Sequence, residues 1–488
     1  MKNPSSLQRH ALLAALALGL AATTAACAGD PESNVDDLTN VQNSTVKNQS
    51  IGNCWVYATM GWAESLHLTQ TAEELNLSES WISYWHWYEG IAGPPSGQTS
   101  LASLDKGQLS TGGWYGLAAE LMRRYGVIKE GSFIPEEAES ARSTRQSAAL
   151  AAINTSLKTG LLSDAAKRKD RKLVRQELDK AWGLTSGTSS LITEVFGADV
   201  ARTLVSATAK IPTGSGLMFA KEISVGHNIT LADAIGLPAT STSFLQRKGK
   251  YAWNETSYPT TATARRTLQG RMQKAMHSGM PVILSWFVDF NAMDAQKRFM
   301  APPATPGGQG GHMTVLEDYQ INGVPGFGTL KAGELVTDPK ALSAALAPAA
   351  TIEFLRIKNS WGSGLAPSAA GEEFRGYHDL YMKYLDSSLV KCTESGGDKC
   401  GTKTKVPGIT SFVLPPDAFV TDAVVKEGTC NADLCVAGPA LGATTCATNP
   451  EKQACVDLIC EQDSFCCKNE WDSKCAEQVT TGCGLTCK

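Results

Sequence analysis

At 488 residues, 42% hydrophobic and 19% charged, the chain has an ordinary globular composition with room for about three domains. A formal net charge of −4 gives no electrostatic reason to expect a nucleic-acid partner. The first residues read as an export signal: Lys2 and Arg9 make a positive start, and the apolar core at 11–22 is too short to anchor in a bilayer. No later segment carries an apolar run long enough for a membrane helix, so the mature body is expected to be soluble.

The end of the signal admits two readings. The segment TTAAC (23–27) is similar to the lipobox of bacterial lipoproteins, which implies lipidation of Cys27 and attachment to a membrane. The lipobox usually has Leu three residues before the cysteine, and here Thr24 stands there. The other reading is ordinary cleavage after Ala28. Both export the protein, to the cell surface or outer membrane as a lipoprotein, or as a secreted protein. Residues 28–42 are acidic and polar and read as an N-terminal tether.

Helical periodicity begins at the stretch VKNQSIGNCWVYATMGWAESL (46–66), where Trp55, Ala58, Trp62, Ala63 and Leu66 recur at spacings of three and four. Ser78 is a plausible cap for a second, aromatic-rich helix. Residues 91–113 read as loop, and 116–128 as a helix stopped at Gly126. Residues 140–280 are mostly helical in pattern, and their basic piece at 165–182 reads as a solvated amphipathic helix rather than a site for an anionic partner. Strands are expected at 281–288, 312–321 and 351–361, with a glycine-rich loop at 301–311. Helices first and strands later indicate an α+β protein with two lobes.

The 14 cysteines sort by position. Cys27 belongs to the signal, and twelve fall between Cys392 and Cys487, an even number in an oxidising compartment. Ten of these crowd into 430–487, a segment with too few large apolar residues to hold itself together without staples. Zinc is the alternative, but this segment holds no histidine, so disulfides are expected. Cys54 is left over, and an unpaired thiol in an exported protein implies a chemical use.

That use follows from elementary chemistry. A thiolate is the nucleophile, and the start of a helix, where Cys54 stands, favours the anion. The thiol then needs an imidazole, and the imidazole needs a group to orient it. Among the 7 histidines, His312 stands at the mouth of a predicted strand behind the glycine-rich loop, and Asn359 on a later strand has a carbonyl to offer it.

The motifs resemble those of the papain-like cysteine peptidases. VKNQSIGNCWVYA (46–58) is similar to the nucleophile motif, LSES (77–80) to the Leu-Ser-Glu-Gln that follows, and GGW (112–114) to the cleft-lining glycines. GHMTVLEDY (311–319) resembles the histidine strand, KNSWGSG (358–364) the asparagine motif, and GYHDLYM (376–382) the next strand. The resemblance implies a two-lobed fold, a helical lobe plus a β-barrel-like lobe, over 43–420, with a small disulfide-stapled domain at 421–488. It implies Cys54 as nucleophile, His312 as base and then acid, Asn359 as its orienter, and Trp361 as cover for that hydrogen bond. Gln49 would donate to the oxyanion beside the Cys54 N–H. Gly112 and Gly113 would admit the substrate backbone. The reaction would be peptide hydrolysis through a thioester, with no cofactor or metal.

The pattern departs from secreted papains in four ways. The step from position 54 to 312 is far longer than their ~130–150 residues, and the excess lies in the helical insertion at about 140–280. That insertion and the absence of cysteine pairs in the core resemble the bleomycin-hydrolase branch. The loop from Gln49 to Cys54 is one residue short. No long inhibitory propeptide fits between Cys27 and Cys54. Because a cysteine-rich module follows the catalytic region, the chain end is expected away from the cleft, and endopeptidase action follows. Two other readings stay open: a catalytically idle binding or adhesion protein, and acyl transfer on the same triad.

Overall fold

The structure, a computed structural model, describes residues 38–483 except 40, 139, 141, 207, 239–245, 335, 337, 365–373, 394, 397, 398, 424–433 and 442–449. The expected export signal, Cys27 and most of the acidic tether lie outside the described residues. All that is described belongs to one unit, Val35–Lys488. The end of the tether is part of the fold: Leu38 and Val41 are apolar and sink into the main core, and the Thr39 hydroxyl donates to the Glu317 carbonyl at 2.8 Å.

Helices dominate the first half: α1 (Cys54–Thr71), α2 (Glu79–Ala92), α3 (Tyr115–Tyr125), α4 (Arg145–Thr159), α5 (Arg171–Trp182), α6 (Ser186–Phe196), α7 (Leu231–Ile235) and α8 (Ala262–His277). Helix α1 is buried without a break from Cys54 to Leu66, so it is the central rod of this half. The aromatic run of α2 explains how α2, α3, α5 and α6 are held together. Trp85 stacks on Tyr125 with centroids 4.0 Å apart and meets Phe196 edge-on at 4.8 Å, while Trp87 meets Trp182 at 4.9 Å. Such pairs add about 0.5–1.5 kcal/mol each beyond their burial.

Helix α2 starts after Ser78, as expected, but the Ser78 hydroxyl makes no capping bond and is buried without a partner. The basic piece at 165–182 forms α5. Asp170 caps it through the Leu173 N–H at 3.0 Å, and Val174, Leu178 and Trp182 face the core. The expected loop at 91–113 contains a short hairpin pairing Leu104–Asp105 with Gln108–Leu109.

The second half is a seven-stranded sheet. In chain order its strands are β1 (Asn254–Ser257), β2 (Ile283–Asp289), β3 (Gln309–Val324), β4 (Gly328–Leu330), β5 (Thr351–Lys358), β6 (Tyr377–Tyr381) and, after β7 (Ser388–Cys392) and β8 (Lys403–Pro407), which pair separately, β9 (Ile409–Leu414). The order across the sheet is β6-β5-β3-β2-β9-β1, every pair antiparallel, with β4 beside β3. This path runs from β6 at one edge to β1 at the other. The segment at 140–280 is not wholly helical: β1 alternates in burial too little to be legible as a strand, yet it pairs with β9.

A second, smaller core holds Leu434, Leu441, Val456, Ile459, Trp471 and Val479. It is stapled by Cys455–Cys483, Cys460–Cys467 and Cys466–Cys475, and Cys435 is disulfide-bonded as well. Cys392–Cys400 closes a separate hairpin. The main core runs on past residue 420: the helix Asp417–Ala423 packs Phe419 edge-on against Trp253, with centroids 5.3 Å apart, because its aromatic face finds an apolar partner there. Among the described residues no helix is long and apolar enough to cross a membrane.

Candidate active site

The site lies where the start of α1 meets β3. Residues 47–49 run antiparallel to 360–362: the Gln49 N–H donates to the Ser360 carbonyl at 2.8 Å and the Gly362 N–H to the Lys47 carbonyl at 3.1 Å, with Asn48 opposite Trp361. The short loop SIGN (50–53) then turns the chain into α1. It closes on itself through the Ile51 carbonyl, which accepts from the Asn53 N–H at 2.9 Å. Gly52 lies against Thr111, whose hydroxyl a Cβ there would meet at 2.9 Å.

Cys54 is the first residue of α1, and among the described residues it is the free cysteine. The N-cap residue Asn53 does not cap the helix. Its side chain turns away, donating to Ser83 and Gln146 at 3.0 Å each. The first-turn N–H groups therefore stay unclaimed by a side chain. Burial pushes the Cys54 thiol up, while hydrogen bonds from the backbone of Met313, Trp55 and Cys54 itself pull it down. The Met313 contact ties the sulfur to the residue after His312.

His312, on β3, is buried and donates from Nε2 to Asn359 Oδ1 at 2.8 Å. The same oxygen accepts from the Ser360 N–H at 2.8 Å. The far end of the Asn359 amide, Nδ2, donates to Nδ1 of His378 at 3.3 Å. The Trp361 ring lies nearly flat on His312, with centroids 4.9 Å apart and an interplanar angle of 18°. Burial pushes His312 down to about 4, against the Asn359 bond, which favours the charged form. Burial thus opposes charge on both the thiol and the imidazole. With Nε2 committed to Asn359, Nδ1 is the nitrogen left to exchange a proton with a thiol.

Gln49 is placed beside this group, but its amide is engaged. Its Oε1 accepts from the Ser360 hydroxyl at 2.6 Å, and its Nε2 donates to the Ile51 carbonyl at 2.9 Å, leaving the second N–H of that amide for an oxyanion. The two glycines divide in role. A Cβ on Gly113 would sit 2.4 Å from the Trp55 ring, whose N–H donates to the Thr111 carbonyl at 2.8 Å, so Gly113 is required by packing. Gly112 has only Ser110 Oγ, at 3.9 Å, near its Cβ position, and it is the glycine open to a substrate.

Sequence reasoning missed His378, Ser360, Asn53 and Phe290. His378 was overlooked although GYHDLYM was read as a strand; a histidine one strand over from the asparagine is the signal that points to it. Phe290, 45% exposed, packs on Trp361 with centroids 5.1 Å apart and extends an aromatic wall outward from His312. Gln309, three residues before His312, fixes the start of β3. Its Nε2 donates to Asp289 at 2.7 Å and to the Val390 carbonyl at 2.6 Å, and its Oε1 accepts from the Cys392 N–H at 2.9 Å.

Behind the site is a buried charge cluster. Lys47 Nζ donates to Glu79 and Glu130 at 2.9 Å each and lies 3.5 Å from Glu64, whose other oxygen accepts from Ser44. Lys358 donates to the same Ser44 hydroxyl at 2.7 Å. Burial opposes the Lys47 charge, but the three carboxylates raise its pKa well above the ordinary lysine value. Burial lifts Glu79 to about 8 and Glu130 to about 7. Lys47, Glu64, Glu79, Lys358 and Asn359 line a cavity of about 20 Å³.

Residues 428–487 match a family described as a domain of unknown function, DUF8252. No curated protein matches the chain. Two solved structures align along most of it. One is PepW from Lactobacillus rhamnosis HN001, over 80% of this chain and 85% of its own, at 12% identity and a TM-score of 0.39. The other is xylellain, described as a cysteine protease from Xylella fastidiosa, over 78% of this chain and 88% of its own, at 12% identity and a TM-score of 0.30.

Proposed function

We propose that this chain is an exported papain-like cysteine peptidase of the bleomycin-hydrolase type that cuts within polypeptides. The observation that carries the reading is one hydrogen bond and its surroundings. His312 donates to Asn359 at 2.8 Å under the Trp361 ring, and the next residue on the strand contacts the free thiol of Cys54. An imidazole oriented and roofed in this way, beside an unpaired thiol at a helix start, is suited to nucleophilic acyl chemistry.

In the first step the Cys54 thiol passes its proton to His312 Nδ1 and its sulfur bonds the substrate carbonyl carbon. The negative oxygen that forms takes the Cys54 N–H and the free N–H of Gln49. The C–N bond then breaks and the His312 proton leaves with the amine, giving a thioester on Cys54. Water, losing a proton to His312, attacks the thioester and restores the thiol. Asn359 holds the ring in the orientation that both transfers need, and Trp361 keeps water from competing for that bond. Gly112 lets the substrate backbone approach. The disulfides of the C-terminal part support export to an oxidising compartment. On this reading Cys27 is the lipidation site, residues 43–420 are catalytic, and 421–488 form the disulfide-stapled module.

Labelling with a thiol-directed peptidyl inhibitor tests the reading. The wild type is expected to carry the adduct on Cys54 and to cut protein substrates internally, and Cys54→Ala to do neither. A folded wild type without an adduct at Cys54 overturns it.

A further inference from the structure

His378 sits on β6 opposite Ile357 of β5, two residues before Asn359. It is 1% exposed. Its Nδ1 is 3.3 Å from Asn359 Nδ2, and its Nε2 is buried with no hydrogen-bond partner. The Asn359 nitrogen can only donate, so His378 Nδ1 accepts and the His378 ring is neutral with its proton on Nε2. Trp361 stands edge-on to His378, with centroids 5.1 Å apart, and flat on His312. One tryptophan thus covers both ends of the chain His378–Asn359–His312.

A purely apolar pocket would be cheaper here. A histidine with an orphaned Nε2 in a dry interior costs free energy that a phenylalanine of similar shape would not. What the histidine supplies in exchange is an acceptor at Nδ1. An asparagine amide can turn end for end, and the turned form would present N–H to His312 Nε2–H, donor against donor. The turned form would also set N–H against the Ser360 N–H, and His378 would have to move its proton from Nε2 to Nδ1 to meet the turned carbonyl.

We propose that His378 is a positioning residue: by accepting from Asn359 Nδ2 it acts with the Ser360 N–H to hold the amide with its carbonyl toward His312, and so sets how readily His312 takes the proton of Cys54. The inference rests on the catalytic reading of Cys54, His312 and Asn359. The titratable groups that bear on the His378 ring are His312 of β3 and Lys297 of the β2–β3 connection, and a hydrogen bond with the Gly376 backbone favours the charged ring. None of these replaces the acceptor that Asn359 uses.

The test is the alkylation rate of Cys54 by iodoacetamide, mapped to its own peptide, at pH ~6 and ~10, where thiolate formation respectively does and does not need a neighbouring base. In His378→Phe the rate at pH ~6 is expected to fall about tenfold while that at pH ~10 stays within about twofold. His378→Leu should repeat this, and His378→Asn, whose side-chain oxygen can occupy the Nδ1 position, should retain most of the wild-type rate at both. The proposal is overturned if His378→Phe and His378→Leu leave the pH ~6 rate unchanged, if they lower both rates equally, or if His378→Asn falls as far as they do. A wild type that reacts at pH ~6 like an ordinary exposed thiol overturns the catalytic reading itself, and this proposal with it. The wild-type measurement therefore separates the two failures.

Discussion

Gln49 and Ser360 are joined twice: the Gln49 N–H reaches the Ser360 carbonyl at 2.8 Å, and the Ser360 hydroxyl reaches Gln49 Oε1 at 2.6 Å. This double tie fixes the residue meant to meet the oxyanion to the residue after the one that orients the base. Within the short loop SIGN, the Ile51 carbonyl takes one Gln49 N–H. Gln49→Ala is expected to lower kcat about 10²-fold with KM little changed, the pattern of a donor that acts in the transition state. Ser360→Ala removes only the brace, and a loss of about tenfold is expected. Steady-state kinetics on one peptide substrate checks both.

The two cleft glycines are predicted to fail differently. Gly113→Ala drives a methyl into the Trp55 ring and should destabilise the protein by about 1–3 kcal/mol, read as a lower unfolding midpoint. Gly112→Ala meets only Ser110 Oγ, at 3.9 Å, and should leave stability unchanged while raising KM, because the substrate loses its close approach.

Lys47 compensates three buried carboxylates at once. Lys47→Met keeps the stem and removes the charge, leaving Glu64, Glu79 and Glu130 to repel one another. A loss of about 3–5 kcal/mol is expected in denaturant unfolding at pH ~9, where all three carboxylates are charged. The loss should shrink as pH falls through about 8 and then about 7, where burial lets Glu79 and then Glu130 take up protons.

Acid should unfold the protein through its histidines. Burial holds His86, His277, His312 and His378 at about 4, below their ordinary value of 6.5. A folded pKa below the unfolded one gives stability that is present above pH 6.5 and lost as pH falls through about 4. The unfolding midpoint is expected to drop steeply across that window. A His86→Phe variant, which removes one buried imidazole from beside Trp55, should show a shallower drop.

Much of the site was legible because its residues carry chemistry that spacing alone can flag. Cys54 stands out as the thiol left without a partner, and KNSWGSG marks Asn359 and Trp361 together. What escaped the sequence depends on contacts across strands. Nothing in the local pattern says that Ser360 turns its hydroxyl to Gln49, or that His378 lies behind Asn359 in the next strand. Gly112 and Gly113 read alike in sequence and are separated only by where the Trp55 ring lies. The fold was legible as helices followed by strands, but β1 was not: Asn254–Ser257 is half-exposed along its length, so it carries no alternation to read. Leu38 and Val41 were lost in an acidic context that hid two core residues.

The antiparallel tie between 47–49 and 360–362 binds an early part of the chain to a late one. A ribosome delivers the thiol of Cys54 long before it delivers His312, Asn359 or the strand that carries His378. A chain halted before residue 359 has neither the brace for Gln49 nor the group that aims the imidazole. Both ends of this tie can meet only once the chain has been made past residue 362.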